Sequence, residues 1–482
     1  MKRAKLALRP IRFRSVLWSG LLSCLLMSAS PLAAQQISRT GYFMDNATHR
    51  HLLNPALNPT RGYFSLPVAG AFYLGTESNM KFTNFIYPPT NGGELLTFMH
   101  EDVDANTFLS ELSSNNYLRT DIRTSLLSMG IYTGSSFWTF DVAARVNMSM
   151  DLPYDLFAFL KQGMTSSEGN LYHLGNLFLS SSVLAEVSLG HSRNIMDNLR
   201  VGGKVKFLVG GARIKAGLST MDVQMAPDAW TITTNGVLDA YAKGLTLKTD
   251  EEGVINGEFE FASPGPAGMG AALDLGVNYS PIPNLDVSLA LIDLGAIKWN
   301  KAAITQATSS GQVTFTGIEN FGLDSVSQQS AEDQMQTLQD DLLKMAQFKP
   351  TTTTEDVVER LFPTINAGVE YALLNNKISL GILFSNRFME NDRYSELTGS
   401  LNLRPARWFN LSGSYSFIHG KRETFGFALG LVPAIMNIYL ACDYTFFRVT
   451  PQFIPLNTLT TNIQLGVSIP LGRGKVPPKH PY

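Results

Sequence analysis

The stretch Phe137-Trp138-Thr139-Phe140-Asp141-Val142-Ala143-Ala144-Arg145-Val146-Asn147-Met148-Ser149-Met150 alternates apolar and polar residues. Trp138, Phe140, Val142, Ala144, Val146, Met148 and Met150 share one parity; Thr139, Asp141, Arg145, Asn147 and Ser149 share the other. A period of two sends the two sets to opposite faces of a strand. One face must meet something oily and the other something wet. A tilted strand needs about 9–11 residues to cross a bilayer, and this run is long enough. Repeated many times, the pattern describes an outer-membrane β-barrel.

The pattern does recur. Leu177, Leu179, Val183, Ala185, Val187 and Leu189 form one apolar face, as do Leu199, Val201, Val205, Phe207 and Val209. Leu285, Val287, Leu289 and Leu291 repeat it, and so do Ile463, Leu465, Val467 and Ile469. The first candidate strand falls near 65–75 and the last near 462–471, with weakly patterned segments near 230–248 and 256–262. Connections alternate between short ones, such as 134–136 and 374–376, and long ones, such as 151–175 and 296–362. Membrane barrels have short periplasmic turns and longer outer loops. Aromatic residues near strand ends, Tyr132, Phe137, Trp138, Tyr279, Trp299, Tyr371, Trp408, Tyr415, Tyr444, Phe446 and Phe447, suit the headgroup level. The expected fold is all-β, a transmembrane antiparallel barrel of about 14–16 strands with an N-terminal plug and helical outer-loop insertions. Helices are expected at Pro153–Gly163 and Ser325–Phe348, where apolar residues recur at helical spacing.

Composition agrees with export to a membrane. Of 482 residues only 16% are charged, against about a quarter in a soluble protein. Residues 1–34 read as a signal peptide: a basic start, an apolar run from Val16 to Met27, and a cut near Ala34. Cys24 loosely resembles a lipoprotein box, but apolar residues continue past it. Removing this segment takes away six basic and no acidic residues, leaving 32 against 40, a net of −8. Such a balance argues against nucleic acid. Only Cys442 then remains, so no internal disulfide is expected. The division is 1–34 signal, 35–61 plug, 62–472 barrel with a 300–362 insertion, and 473–482 tail.

Chemistry-bearing patterns are sparse. The histidines form no HExxH or Cys/His pairing, and Gly190-His191-Ser192-Arg193-Asn194 lacks the final glycine of a nucleophile elbow. A non-enzymatic protein without cofactor is expected. The wet faces carry charges of both signs, including Asp141, Asp274, Asp286, Glu370, Glu396, Arg404 and Asp443. One reading is a self-neutralising interior. The other is a basic cluster of Arg145, Arg200, Lys204 and Lys206 that holds an anionic head group.

Before the first strand lies Leu53-Asn54-Pro55-Ala56-Leu57-Asn58-Pro59, whose two Asn-Pro steps favour turns. Asn54, Pro55, Ala56 and Asn58 resemble the Asn-Pro-Ala hatch motif of the long-chain fatty acid transporter (FadL-type) superfamily. The runs 199–206, 272–279, 293–299 and 403–408 look like its Bacteroidetes branches, which include PorV-like proteins of type IX secretion. The resemblance implies a barrel plugged by its N-terminal arm, with a route for hydrophobic or amphipathic small molecules across the cell outer membrane. A scaffold or partner barrel of a secretion or surface-attachment system is the alternative. Expected partners are outer-membrane lipid, a hydrophobic ligand, or secretion-system proteins.

Overall fold

The computed structural model describes residues 38–68, 70–87, 96–315, 345–352, 355–388, 393–419, 422–433, 435–444 and 460–472. The signal segment, the tail, Phe446, Phe447 and most of the helix expected at 325–348 lie outside these residues. The wall is a closed antiparallel barrel of 14 strands. They are β1 (Gly62–Ser65 and Phe72–Ser78), β2 (Asn115–Thr133), β3 (Ser136–Pro153), β4 (Leu177–Met196), β5 (Leu199–Met225), β6 (Gly268–Ile282) and β7 (Leu285–Trp299). The second half comprises β8 (Thr364–Leu373), β9 (Ile378–Phe388), β10 (Arg393–Ala406), β11 (Phe409–Ile418), β12 (Arg422–Leu431), β13 (Asn437–Cys442) and β14 (Thr461–Leu471). Each strand pairs with the next, and both parts of β1 pair with β2 and with β14, which closes the ring.

The faces fall as alternation demands. On β3, Thr139, Asp141, Arg145, Asn147 and Ser149 are buried inside, while Trp138 and the apolar set point outward. The outer wall exposes a belt that includes Val205, Phe207, Leu289, Leu380 and Ile382. A belt of this kind must be covered by lipid, because no soluble protein leaves so wide an apolar band in water. Trp138, Tyr279, Tyr371 and Trp408 are exposed on the short-turn side, as headgroup-level aromatics would be. Phe137, Trp299 and Tyr444 instead point inward and are buried. Trp299 stacks on Tyr241 and its Nε1 donates to Glu359. Phe137 falls on the inward set of its strand. Trp299 is turned inward by the bulge at Asp293, which reverses the parity of β7. Tyr444 lies past the end of β13, where its hydroxyl accepts from Arg39 and donates to Glu396.

Three sequence expectations change. The first strand is broken rather than continuous over 65–75. Pro67 has no N–H for the ladder, and Val68 takes a left-handed φ of 64°. The segment at 230–248 is a strand, Trp230–Ala242, but it does not cross the membrane. It pairs with the outer half of β5 and with Ile304–Phe315, because β6 already occupies β5 from Leu199 to Gly210. Ile255–Phe261 makes a small separate hairpin with Leu245–Thr249. Hence the lower strand count.

Above the wall, α1 (Ala105–Ser110) and α2 (Tyr154–Gln162) join the outer half of β5 in an apolar cap. Pro153 is the N-cap residue of α2. Asp104 caps α1 by accepting from the Thr107 N–H at 2.8 Å. Val205→Arg should lower stability by about 2–4 kcal/mol, since the charge would sit in hydrocarbon near the membrane midplane. Urea unfolding in lipid vesicles, with Val205→Leu as the control, measures this. An arginine variant as stable as wild type would contradict the facing.

Candidate functional site

Residues 38–61 run inside the barrel. A 3-10 turn, Arg50–Leu52, leads into the Asn-Pro-Ala segment. Asn54 uses both ends of its amide. Its Oδ1 accepts from the Ala56 N–H at 2.9 Å, which closes a tight turn around Pro55. Its Nδ2 donates to the carbonyls of Val277 and Leu289 on neighbouring strands, at 3.3 and 3.4 Å, and to Tyr42 Oη at 3.3 Å. An aspartate could make the turn but not these donations.

The seat is one transverse row of the wall. Ser192, Gly202, Gly276, Ala290 and Asn366 stand side by side on β4 to β8, all on the inner face. The arm lies along this row like a strap. Asn58 Nδ2 donates to Ser192 Oγ at 2.6 Å, and Asn366 Nδ2 donates to Leu53 O at 2.9 Å. Between these ends the glycines make room. A Cβ on Gly202 would stand 2.4 Å from Pro55 O, and one on Gly276 would stand 2.1 Å from Asn54 Oδ1. Asn54, Pro55, Ala56 and Asn58 therefore meet the wall together.

Residues before the strap are held by the other half of the ring. Asp443 accepts from Ser38 Oγ, Arg39 N–H, Thr40 N–H and Thr40 Oγ1, all between 2.7 and 3.0 Å. Arg39 pairs with Glu396 at 3.0 Å. Arg404 reaches Asp45 at 3.3 Å and Glu370 at 2.6 Å and donates to Phe43 O. Tyr42, Phe43, Leu52, Leu53 and Leu57 add an apolar contact with Leu383. Asp443, Arg404, Glu370, Ser192 and Asn366 were not singled out by sequence reasoning as seats for the arm. Their signal was weak: Gly202 inside a strong strand pattern hints at a close backbone approach, but not at what approaches.

The four proposed basic residues do not form one cluster. Arg200 sits near the short-turn end, where its Nε donates to Asn194 Oδ1 at 2.7 Å. Lys204 Nζ lies 2.8 Å from Asp141 Oδ2 and 3.1 Å from His51 of the arm. Arg145 and Lys206 do meet, on Asp293, at 3.0 and 2.6 Å. Glu186 takes Arg145 at 3.1 Å and Arg123 at 3.3 Å, while Asp274 takes Lys206 at 2.7 Å. This is three cations on three carboxylates, all buried. A further bridge crosses the barrel: Arg387 on β9 reaches Asp121 on β2 and Glu77 on β1, at 3.2 and 3.3 Å. Burying a charge is costly unless it is paired, and each of these buried cations has at least one carboxylate beside it. The ion pairs of the Arg145–Asp293 tier join wall residues to one another. The strap and this charged tier thus occupy the interior separately.

Two outcomes follow. Gly202→Val should dislodge the strap while the barrel stays assembled. Limited proteolysis should then cut within 38–60 several-fold faster, with heat-modifiable gel migration retained; unchanged protection would refute the seat. Asp293→Asn should cost about 3–5 kcal/mol by leaving Arg145 and Lys206 short of charge, read as a lower urea midpoint.

Comparisons with solved structures return barrels. The toluene transporter TbuX of Ralstonia pickettii aligns at 10% identity and a TM-score of 0.39, covering 92% of this chain and 97% of its own. The toluene transporter TodX of Pseudomonas putida aligns at 7% and 0.36, covering 92% and 97%. A FadL homologue of Pseudomonas aeruginosa aligns at 8% and 0.37, covering 89% and 93%. Likeness at this level carries no argument, and the closed ring stands on its own strand pairing. No curated protein matches the sequence. A family pattern spans residues 55–443, beginning within the strap and ending at Asp443, and the chain belongs to that family, the family of unknown function DUF5723.

Proposed function

We propose that this is an outer-membrane barrel that binds or transports hydrophobic or amphipathic small molecules, with residues 35–61 as its movable hatch. The observation that carries the reading is the strap. The segment that fills the short-turn mouth is not part of the wall and is held by non-covalent contacts: hydrogen bonds, ion pairs, close approach to wall glycines and two small apolar clusters. Such contacts can be exchanged for water or ligand at modest cost, since each is worth about 0.5–3 kcal/mol net. A protein with no traffic through its interior has no need of a separable plug.

Two further features support it. The long-loop side carries an apolar cap in which the rings of Phe85, Phe98, Phe108 and Phe157 lie 4.7–6.3 Å apart. These rings are the buried core of the cap, so the loops over the outer end pack as one apolar body around them. The signal segment and lipid-facing belt suit the outer membrane. The anion-holding role of the basic residues loses ground, because Arg145, Lys204 and Lys206 each have a carboxylate within 3.1 Å. Among the described residues, no feature speaks for a secretion-machinery partner.

The test is a reversible lock. In a Cys442→Ser background, Asn58→Cys with Ser192→Cys places two thiols where the amide and hydroxyl now meet. Oxidation should cut uptake of an apolar fluorescent probe into cells or vesicles at least tenfold, and reductant should restore it. Uptake indifferent to the lock would show that the arm is a fixed tether and would remove the hatch.

A further inference from the structure

The outside of the wall is dented directly behind the strap. An apolar groove of about 800 Å³ crosses β4 to β8 there, floored by Gly203 and bounded by Ile195, Val201, Leu275, Leu289 and Ile365. Its origin is visible in the register. The outward row His191, Gly203, Leu275, Leu291 and Ile365 has a glycine where its neighbours are large. A Cβ on Gly203 would meet nothing nearer than 3.7 Å, so the gap is open space. Behind it, the inner row is also small, being the strap's seat. The wall is thin here.

One end of the groove lies at the membrane surface. Trp138 packs against His191 with ring centroids 4.3 Å apart and planes tilted by 39°, and Tyr279 is exposed on the same side. These rings mark the headgroup level of the short-turn side. Arg193 stands at this end of the groove, exposed. Among the described residues its guanidinium has no hydrogen-bond or ion-pair partner. Every inner cation of the strap and the network has found a carboxylate, whereas this one, beside an apolar trough, has none.

We infer that the groove is a binding site for one anionic glycerophospholipid of the leaflet facing the short turns. Its phosphate would sit on the Arg193 guanidinium and an acyl chain would fill the trough over Gly203. Guanidinium and phosphate match in charge and in bidentate geometry. The trough offers a chain nothing but apolar side chains and bare glycine backbone. The inference rests on the wall being membrane-spanning, and not on what passes through the barrel.

The full chain, purified in detergent, is incubated with phosphatidylglycerol or phosphatidylcholine and weighed intact by native mass spectrometry. Wild type should retain one phosphatidylglycerol at lipid concentrations at least tenfold below those needed for phosphatidylcholine. Arg193→Gln should abolish that preference and Arg193→Lys should recover most of it. Gly203→Phe, which fills the trough without touching the inner face, should lose both lipids. Equal retention by wild type, Arg193→Gln and Gly203→Phe would overturn the site. Loss only in Arg193→Gln would overturn the trough and leave a headgroup contact. Dimers that vanish in Gly203→Phe, with no lipid bound, would give the groove to a second copy of the chain. Heat-modifiable migration, run on each sample, separates all of these from failure of the membrane reading itself.

Discussion

A filled barrel has to neutralise itself. Once the arm and the inward side chains take up the interior, Arg145, Lys206 and Glu186 are shut off from bulk solvent, and each is answered by protein. That demand sets much else. It puts Asp293 in a bulge of β7, at φ 61°, where it can serve two cations at once. It brings Arg387 right across the ring to Asp121 and Glu77. It also explains why alternation along the strands is so regular. A slip of one residue would carry every inner charge into lipid.

The arm obeys a different rule, that of space. Its path is carved by what is missing from the wall: side chains at Gly202 and Gly276, and again at Gly381 and Gly426, where Phe43 and Thr40 come close. Glycine in a strand weakens it and leaves nothing to pack. Here the strap supplies the missing atoms. Wall and arm therefore complete each other, and Asn54 secures the match by bonding backbone carbonyls rather than side chains.

How much of this could be read from the chain follows from locality. Faces and most strand limits were legible, because period two needs only the strand itself. The outward set of β3 came straight from its letters. Asn54 and Asn58 were legible as turn formers that bond the lumen, but the row that receives them was not. Ser192 and Asn366 become neighbours of one strap only after four register relations are fixed. The basic residues show the same limit. Lys204 and Lys206 lie on one face in sequence, yet they answer to different carboxylates because Asp141 and Asp293 come from opposite sides of β5. The break in β1 was written in Pro67, but the alternation on either side of it masked the interruption.

That break has a bearing on how the ring is shut. The two halves of β1 hold the seam between the last strand and β2, and inside the gap the carbonyl of Gly70 turns inward to His49 Nε2 at 2.5 Å. The arm thus provides a hydrogen bond that the ladder itself gave up. Without the arm, Gly70 O would have to take its hydrogen bond from water, at the seam where the two ends of the wall are joined. The closing seam is therefore completed by a segment that contributes no strand to it.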